Sequence, residues 1–242
     1  MKVEGIKLKV FCGVMAAVAW ILFGATGVIR WIAGDGRLMG AEMLRAAPPE
    51  VTGLPESDYA GVGVMTADFL TGRQESFQYA VARGTGNGTA CARTEVFQPH
   101  EAAHMEDCRK LIRLDTVVCV GSGLAALLFT GAGCFFSRKG RKGFFRGLLW
   151  GLRGMAAAAG VLLVWALADF EGLFVTFHLV AFPQGGWLLD TRTDLLIRLM
   201  PTEFFVRLGL RGLLRFAAVP VILAVCGHLG RRKTTVQAGD AQ

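Results

Sequence analysis

The stretch PHEAAHMEDC, residues 99–108, carries side chains that could bind a metal ion. His100, Glu101 and His104 have the H-E-x-x-H spacing of zinc proteases, in which two histidines one helical turn apart bind zinc and the glutamate activates a water molecule. The preceding proline places His100 in the first turn of a helix, where side-chain geometry is least fixed. A third ligand could come from His178. A zinc-dependent membrane hydrolase is therefore one hypothesis for this chain.

Two of the four histidines, His104 and His178, could instead do acid–base chemistry. Imidazole is the side chain that accepts and releases a proton most readily near neutral pH. Three phenylalanines flank His178 in sequence, so we expect it to lie in apolar surroundings. If both rings lie on one side of a membrane at similar depth, they could converge on a cavity at the lipid surface. The spacing alone is equally compatible with two ordinary buried histidines.

Long apolar segments predict the elements that must position these side chains. Hydrophobic residues make up 53% of the 242-residue chain, and residues 10–29 and 116–137 contain 20 and 22 residues without a charged side chain. About 20 apolar residues in a helix cross the hydrocarbon core of a bilayer. Two further apolar runs, 154–168 and 216–227, reach that length when one flanking arginine is included in each. We predict an α-helical integral membrane protein with four transmembrane helices, at 10–30, 114–137, 147–168 and 212–230.

The positions of lysine and arginine predict the orientation of the chain. Basic side chains cluster in the N-terminal segment, in the 138–146 connection and in the 231–242 tail, and such clusters stay on the cytoplasmic side. Both termini of the single membrane domain are therefore expected in the cytoplasm, with the connections 31–113 and 169–211 outside. These cytoplasmic basic clusters account for the net charge of +7. We expect no nucleic-acid partner.

The connection 31–113 contains helix and strand signals. A helix over 57–70 and a short hairpin over 77–97 predict an extracytoplasmic α+β insertion, and Pro99 suits the first turn of a helix that runs into the second span. Cys91 and Cys108 both lie in this connection, where a disulfide is allowed if the compartment is oxidising.

The connection 169–211 is too apolar for a free loop. Pro183 and Pro201 interrupt any long helix there, and Trp187 is typical of a membrane interface. Irregular backbone at that depth must pack against protein or line a wet cavity. We therefore predict a semi-buried outer-leaflet segment that contains His178.

Two motifs in this four-span chain resemble a known family. EAAHMEDCRKL (101–111) and FHLVAFPQGGWLLDTRTDLLIRLMPTEFF (177–205) are similar to motifs of the bacterial integral membrane lipoprotein intramolecular transacylases. The family pattern is E-x-x-H-M-x-D before the second span and F-H…F…W…D…L-I…P…F-F before the fourth. His100 is not part of that pattern, and residues 34–96 match loosely. The matching positions are Glu101, His104, Met105, Asp107, Phe177, His178, Phe182, Trp187, Asp190, Leu196, Ile197, Pro201, Phe204 and Phe205.

The resemblance implies an acyl shift within one substrate, a bacterial lipoprotein whose N-terminal cysteine carries a diacylglyceryl thioether and a free α-amine. The sn-2 acyl chain would move from glycerol to that amine and give the lyso-form lipoprotein. Such a reaction needs acid–base and oxyanion groups but no acyl-enzyme, and the tether between donor and acceptor reduces its entropic cost. Neither a cofactor nor a metal is implied.

The resemblance also implies which residues act and where. His104 and His178 would be catalytic, and which of them is the base and which the acid or oxyanion stabiliser stays open. The partners would be a diacylated lipoprotein and membrane lipid, and the active site would lie at the outer leaflet of the bacterial cytoplasmic membrane. A non-catalytic membrane scaffold or transporter is the remaining alternative. The substrate-binding or orienting residues would be Glu101, Asp107, Trp187 and Asp190.

Overall fold

The structure of this chain is a computed structural model, and it describes residues 2–84, 91–134 and 141–239. Twelve elements are found in this part of the chain. They are α1 (Lys2–Gly34), α2 (Gly36–Ala46), α3 (Pro49–Thr52), α4 (Glu56–Thr71), β1 (Ala80–Gly84), β2 (Cys91–Glu95), α5 (Pro99–Cys134), α6 (Arg141–Ala168), α7 (Phe170–Ala181), α8 (Leu195–Leu199), α9 (Thr202–Phe216) and α10 (Ala218–Gly239).

Within the described residues, four helical segments are long and apolar enough to cross a membrane, as predicted. The third helix begins at Arg141, earlier than the expected residue 147, because the basic residues before its apolar part are good helix formers. The fourth segment is broken between α9 and α10, since Pro220 cannot continue the hydrogen-bonding ladder of the preceding turn. The four segments are Lys7–Gly34, Pro99–Gly133, Arg141–Ala168 and Thr202–Arg232.

The first compact unit comprises Met1–Val28, Thr116–Phe170 and Leu213–Gln242. Close packing of α6 on α1 depends on glycine, because a Cβ at Gly147 would collide with the carbonyl oxygen of Val10. A Cβ at Gly151 would likewise come too close to the Cβ of Ala17. These glycines therefore allow the backbones of α1 and α6 to approach closely.

The second compact unit comprises Ile29–Asp115 and Glu171–Gly212 and contains the larger apolar core. Helices α2 and α4 cross with their backbones in contact, and a Cβ at Gly63 would overlap Gly36 and Gly40. The largest fully buried apolar side chains of this core are Met43, Tyr59, Val62, Phe69, Leu199 and Phe204.

The part of the chain between the first two apolar helices contains helix α4 and an antiparallel pair of strands, β1 and β2. Helix α4 begins just after Pro55 and stops at Gly72, whose φ of 79° closes the helix in a left-handed conformation. The strands β1 and β2 pair antiparallel, with Ala80 opposite Glu95. The predicted strand residue Phe77 precedes β1, and its ring packs in the core 4.7 Å from that of Phe97.

Helix α5 begins at Pro99, as the sequence predicts, and runs without a break into the second apolar segment. Helix α7 ends at Ala181, before Pro183, and an irregular segment leads from there to α8. Cys108 carries a free thiol, and the side chain of Cys91, its possible disulfide partner, lies outside the described residues.

Candidate active site

Two imidazole rings from separate parts of the chain meet in the second compact unit. His104 lies in the second turn of α5 and His178 lies in α7, and the centres of their rings are 6.1 Å apart. His178 is buried and His104 is half-buried. The structure therefore brings together the two histidines that the sequence singled out.

Aromatic rings surround His178. The ring centre of Phe174 is 4.2 Å away, that of Trp187 is 5.0 Å away and that of Phe182 is 5.5 Å away. Phe182 also packs its edge against His104, with 5.1 Å between the ring centres. Trp187, predicted as an orienting or substrate-binding residue, thus contacts an imidazole directly, and the pair lies in a largely apolar environment.

The orientation of His178 is fixed by its own helix. Nδ1 lies 2.8 Å from the carbonyl oxygen of Phe174, which can only accept a hydrogen bond, so Nδ1 is the protonated nitrogen of the ring. In the neutral ring Nε2 then carries an unshared electron pair. This assigned tautomer lets His178 accept a proton at Nε2.

His104 is held by a thiol one helical turn further along α5. The sulfur of Cys108 lies 3.6 Å from Nε2 of His104, within hydrogen-bonding distance for sulfur. If the thiol donates to Nε2, the hydrogen of the neutral imidazole is on Nδ1. The spacing of four residues places the side chains of His104 and Cys108 on one helix face.

Asp107, another predicted orienting residue, contacts the segment that follows α7. Its carboxylate accepts a hydrogen bond of 2.9 Å from the side-chain amide of Gln184 and one of 2.7 Å from Lys110. These bonds tie the irregular segment after Phe182 to α5. Asp107 therefore contributes to the position of Phe182, which packs on both histidines.

Glu101 is fully buried and joins two chain segments. One carboxylate oxygen accepts a hydrogen bond from the amide of Gln98 and the other accepts one from the amide of Leu196, each at 2.6 Å. The first bond caps α5 and the second caps α8. Glu101 thus orients the backbone that carries His104.

A second link between these segments joins His100, a candidate ligand in the zinc hypothesis, to Asp194, which was not among the predicted site residues. Nε2 of His100 lies 3.0 Å from a carboxylate oxygen of the buried Asp194. Burial raises the pKa of this carboxyl, but hydrogen bonds from His100, the amide of Asp190 and the hydroxyl of Thr193 outweigh it and lower the pKa below its ordinary value. The link anchors the first turn of α5 to the 190–194 turn.

Asp190, the remaining predicted residue, faces an arginine rather than an imidazole. Its carboxylate binds the guanidinium of Arg192, with a shortest distance of 2.9 Å, and this partner lowers the pKa of the Asp190 carboxyl. Asp190 thereby stabilises the turn that presents Asp194.

The H-E-x-x-H residues have three different partners. His100 contacts Asp194, Glu101 contacts two backbone amides, and the ring of His104 packs beside that of His178. Their side chains do not converge on one point as a zinc site requires. Over the described residues 2–84, 91–134 and 141–239 no group of three or more His, Cys, Asp or Glu side chains is placed to hold a metal ion.

Residues 14–205 match the family model described as "Lipoprotein intramolecular transacylase Lit". The chain belongs to this family. Comparison with curated proteins gave no match.

Solved structures of a family member have the same fold. The lipoprotein intramolecular transacylase Lit from Bacillus cereus, determined in meso, is 16% identical in sequence and aligns with a TM-score of 0.69 over 96% of this chain and 98% of that one. A variant of that protein with a histidine-to-arginine substitution aligns with a TM-score of 0.65 at 16% identity, over 98% of this chain and 96% of that one. A histidine-to-alanine variant aligns with a TM-score of 0.63 at 17% identity, over 97% of each chain. At this identity the likeness shows the fold.

Proposed function

We propose that this protein moves the sn-2 acyl chain of a diacylated lipoprotein from the glycerol oxygen to the α-amine of the N-terminal cysteine. The observation that supports this most strongly is the pair of imidazoles, 6.1 Å apart among aromatic rings. Membership of the lipoprotein intramolecular transacylase family also supports this activity.

The reaction starts with the substrate's own amine. Because an α-amine has an ordinary pKa of about 7.7–8.0, part of it is neutral near pH 7, and this neutral amine must lose one proton as it attacks the ester carbonyl. Nε2 of His178 has the free electron pair for this step, since Nδ1 donates to Phe174. His178 therefore acts as the general base.

Attack of the nitrogen on the ester carbon forms a tetrahedral intermediate with a negatively charged oxygen. The Nδ1 hydrogen of His104 can donate to this oxygen when Nε2 accepts from Cys108. The carbon–oxygen bond to glycerol then breaks, and the His178 imidazolium returns its proton to the leaving glycerol oxygen. One N–C bond replaces one O–C bond, and no water or co-reactant is consumed.

The surface beside the site suits a substrate that arrives with its acyl chains in lipid. Phe177 and Val180, on either side of the buried His178 in α7, are 53% and 78% exposed. Apolar side chains this exposed are stable in a membrane protein when lipid covers them. The distribution of basic residues supports an outer-leaflet position for this side of the protein, with both termini in the cytoplasm.

Mass spectrometry of a lipoprotein N-terminus tests the proposal. Cells that express the wild-type protein should contain lipoprotein with an acylated α-amine and one acyl chain fewer on glycerol. His104→Ala and His178→Ala should each reduce this product by about 100-fold or more. His228→Ala, an exposed histidine in α10, is the matched control and should be fully active. Full product formation with both site variants would refute the site.

A further inference from the structure

The ring of His178 is almost closed off from its surroundings, although the proposed reaction needs its Nε2. The residue is only 8% exposed, and Nδ1 is occupied by the carbonyl oxygen of Phe174. A general base must come within about 2.6–3.2 Å of the group whose proton it takes. A lipid-linked amine with its neighbouring ester is much larger than the opening that this exposure leaves. Part of the structure that covers His178 must therefore move before the substrate can reach Nε2.

Trp187 covers His178 from a segment outside the helices, with 5.0 Å between the ring centres. The phenylalanines beside His178 move with α7 instead. Phe174 lies in that helix, and the amide of Phe182 donates a hydrogen bond of 2.8 Å to the carbonyl oxygen of His178 itself. Trp187 is therefore the aromatic cover that can be displaced without disturbing α7.

The residues that carry this cover, 186–188, run as a strap between two fixed points. Before the strap, Gln184 donates a hydrogen bond of 2.9 Å to Asp107 of α5. After it, Leu189 packs against the apolar core and the amide of Asp190 donates to a buried carboxylate. Within the described part of the chain, the three amides of the strap donate to no protein acceptor. Backbone with so few internal hydrogen bonds opens at a low cost in free energy.

Two consecutive glycines join the first fixed point to the strap. Gly185 and Gly186 have φ angles of 80° and 81°, in the left-handed region that L side chains rarely adopt. A Cβ on either residue would meet no atom within 4 Å, so it is the backbone conformation and not the packing that favours glycine here. Glycine changes between positive and negative φ with little penalty, as a hinge requires.

We propose that residues 186–188 open on the hinge of Gly185 and Gly186, admit the lipid-linked end of the substrate to Nε2 of His178, and close again for the acyl shift. The identity of the molecule that enters rests on the proposed function. Leu188 is 83% exposed, as suits an apolar side chain in contact with lipid, so the strap opens towards the acyl chains of the bilayer. In the closed state Trp187 packs on His178 as the structure shows.

Modification of histidines by diethyl pyrocarbonate tests the strap in the purified full-length protein in lipid nanodiscs. The reagent attacks the unprotonated nitrogen of an imidazole, and mass spectrometry of the peptides gives a rate for each histidine. In Gly186→Ala the closed state retains an unfavourable φ that opening relieves, so His178 should react about 5- to 30-fold faster than in wild type. His228, exposed in α10, is the internal reference and should react equally in both proteins.

Gly53→Ala is the matched control. Gly53 ends α3 with a φ of 71°, and a Cβ there would also meet no atom within 4 Å. The substitution therefore introduces the same kind of strain away from the strap, and the rate at His178 should stay at the wild-type value. Gly185→Ala should act as Gly186→Ala does, so the hinge is still tested if one of these variants fails to fold.

An unchanged rate at His178 in the hinge variants would overturn the proposal. An equal acceleration in Gly53→Ala would overturn it as well, by showing that strain anywhere loosens the protein. The measurement needs no substrate, so its failure is distinct from failure of the proposed function. If the hinge variants accelerate modification of His178 but cells with the wild-type protein contain no N-acylated lipoprotein, the strap stands and the transacylation proposal fails.

Discussion

The carboxylate of Glu101 accepts a hydrogen bond from the backbone amide of Leu196 at 2.6 Å, across 95 positions of sequence. Its other oxygen accepts one from Gln98, and the side chain is fully buried. Helix α5, which carries His104, is thereby connected to the start of α8. Glu101 acts on the site by positioning backbone, since both of its hydrogen bonds go to amides.

Glu101→Gln should lower the stability of the protein. A glutamine side chain has one acceptor oxygen, and its NH₂ group would face one of the two amide donors. A buried donor without an acceptor costs about 1–3 kcal/mol, so the Tm in detergent should fall by several degrees and activity should fall with it. Glu106→Gln, which changes a half-buried carboxylate of the same helix, should leave the Tm close to that of wild type. Equal Tm values for both variants would contradict this role.

Trp187→Ala should reduce activity more than it reduces stability. The indole packs 5.0 Å from His178, and its loss lets the imidazole leave the orientation in which Nε2 accepts a proton. Misplacement of a catalytic group by about 1 Å can cost up to about 100-fold, and we expect kcat to fall by at least tenfold. Trp187→Phe keeps an aromatic ring there and should recover much of the rate.

The control for this prediction is Trp165→Ala, a tryptophan in α6 that is 38% exposed. It should have nearly wild-type kcat. If Trp187→Ala changes only KM, the indole binds substrate and does not orient His178.

The sequence predicted the four long apolar helices and the two histidines that the structure brings together, because both depend on local signals. Uncharged segments of sufficient length identify spans, and two histidines in family-like motifs identify the pair. The contacts of Glu101 and Asp107 could not be predicted in this way. Each binds a group distant in sequence, and a carboxylate has the same appearance in sequence whether it orients an imidazole, caps a helix or ties down a loop.

The H-E-x-x-H spacing also could not predict the contacts of its side chains. The spacing places two histidines one turn apart on one helix, but a metal site also requires that the side chains turn towards one point. His100 turns to Asp194 instead, a partner that no short motif reveals. The zinc hypothesis therefore depended on tertiary contacts that only the structure describes.

Cys108→Ala should lower activity, and Cys108→Ser should lower it less. The thiol lies 3.6 Å from Nε2 of His104, and a donor there keeps the hydrogen of the ring on Nδ1, where the oxyanion is proposed to form. A neutral hydrogen bond is worth about 0.5–1.5 kcal/mol, so alanine should cost roughly 2- to 12-fold in kcat. Cys119→Ala, a second free cysteine of α5, is the matched control and should have normal kcat. The prediction fails if alanine and serine at position 108 give equal rates.

The link between His100 and Asp194 should make stability depend on pH in the acidic range. The pKa of the Asp194 carboxyl is lowered in the folded protein, against an ordinary value of about 3.9 for an unfolded chain. A lowered pKa means that the ionised carboxylate stabilises the fold above about pH 4 and that this contribution is lost as the pH falls through the folded value. Wild type should therefore have a higher Tm than Asp194→Asn at pH 5–7, and the difference should shrink between about pH 4 and pH 3.

His100→Gln should lower the Tm by only part of the difference between wild type and Asp194→Asn, because the amide of Asp190 and the hydroxyl of Thr193 still donate to the Asp194 carboxylate. A difference that stays constant down to pH 3 would show that the charge of Asp194 does not stabilise this turn.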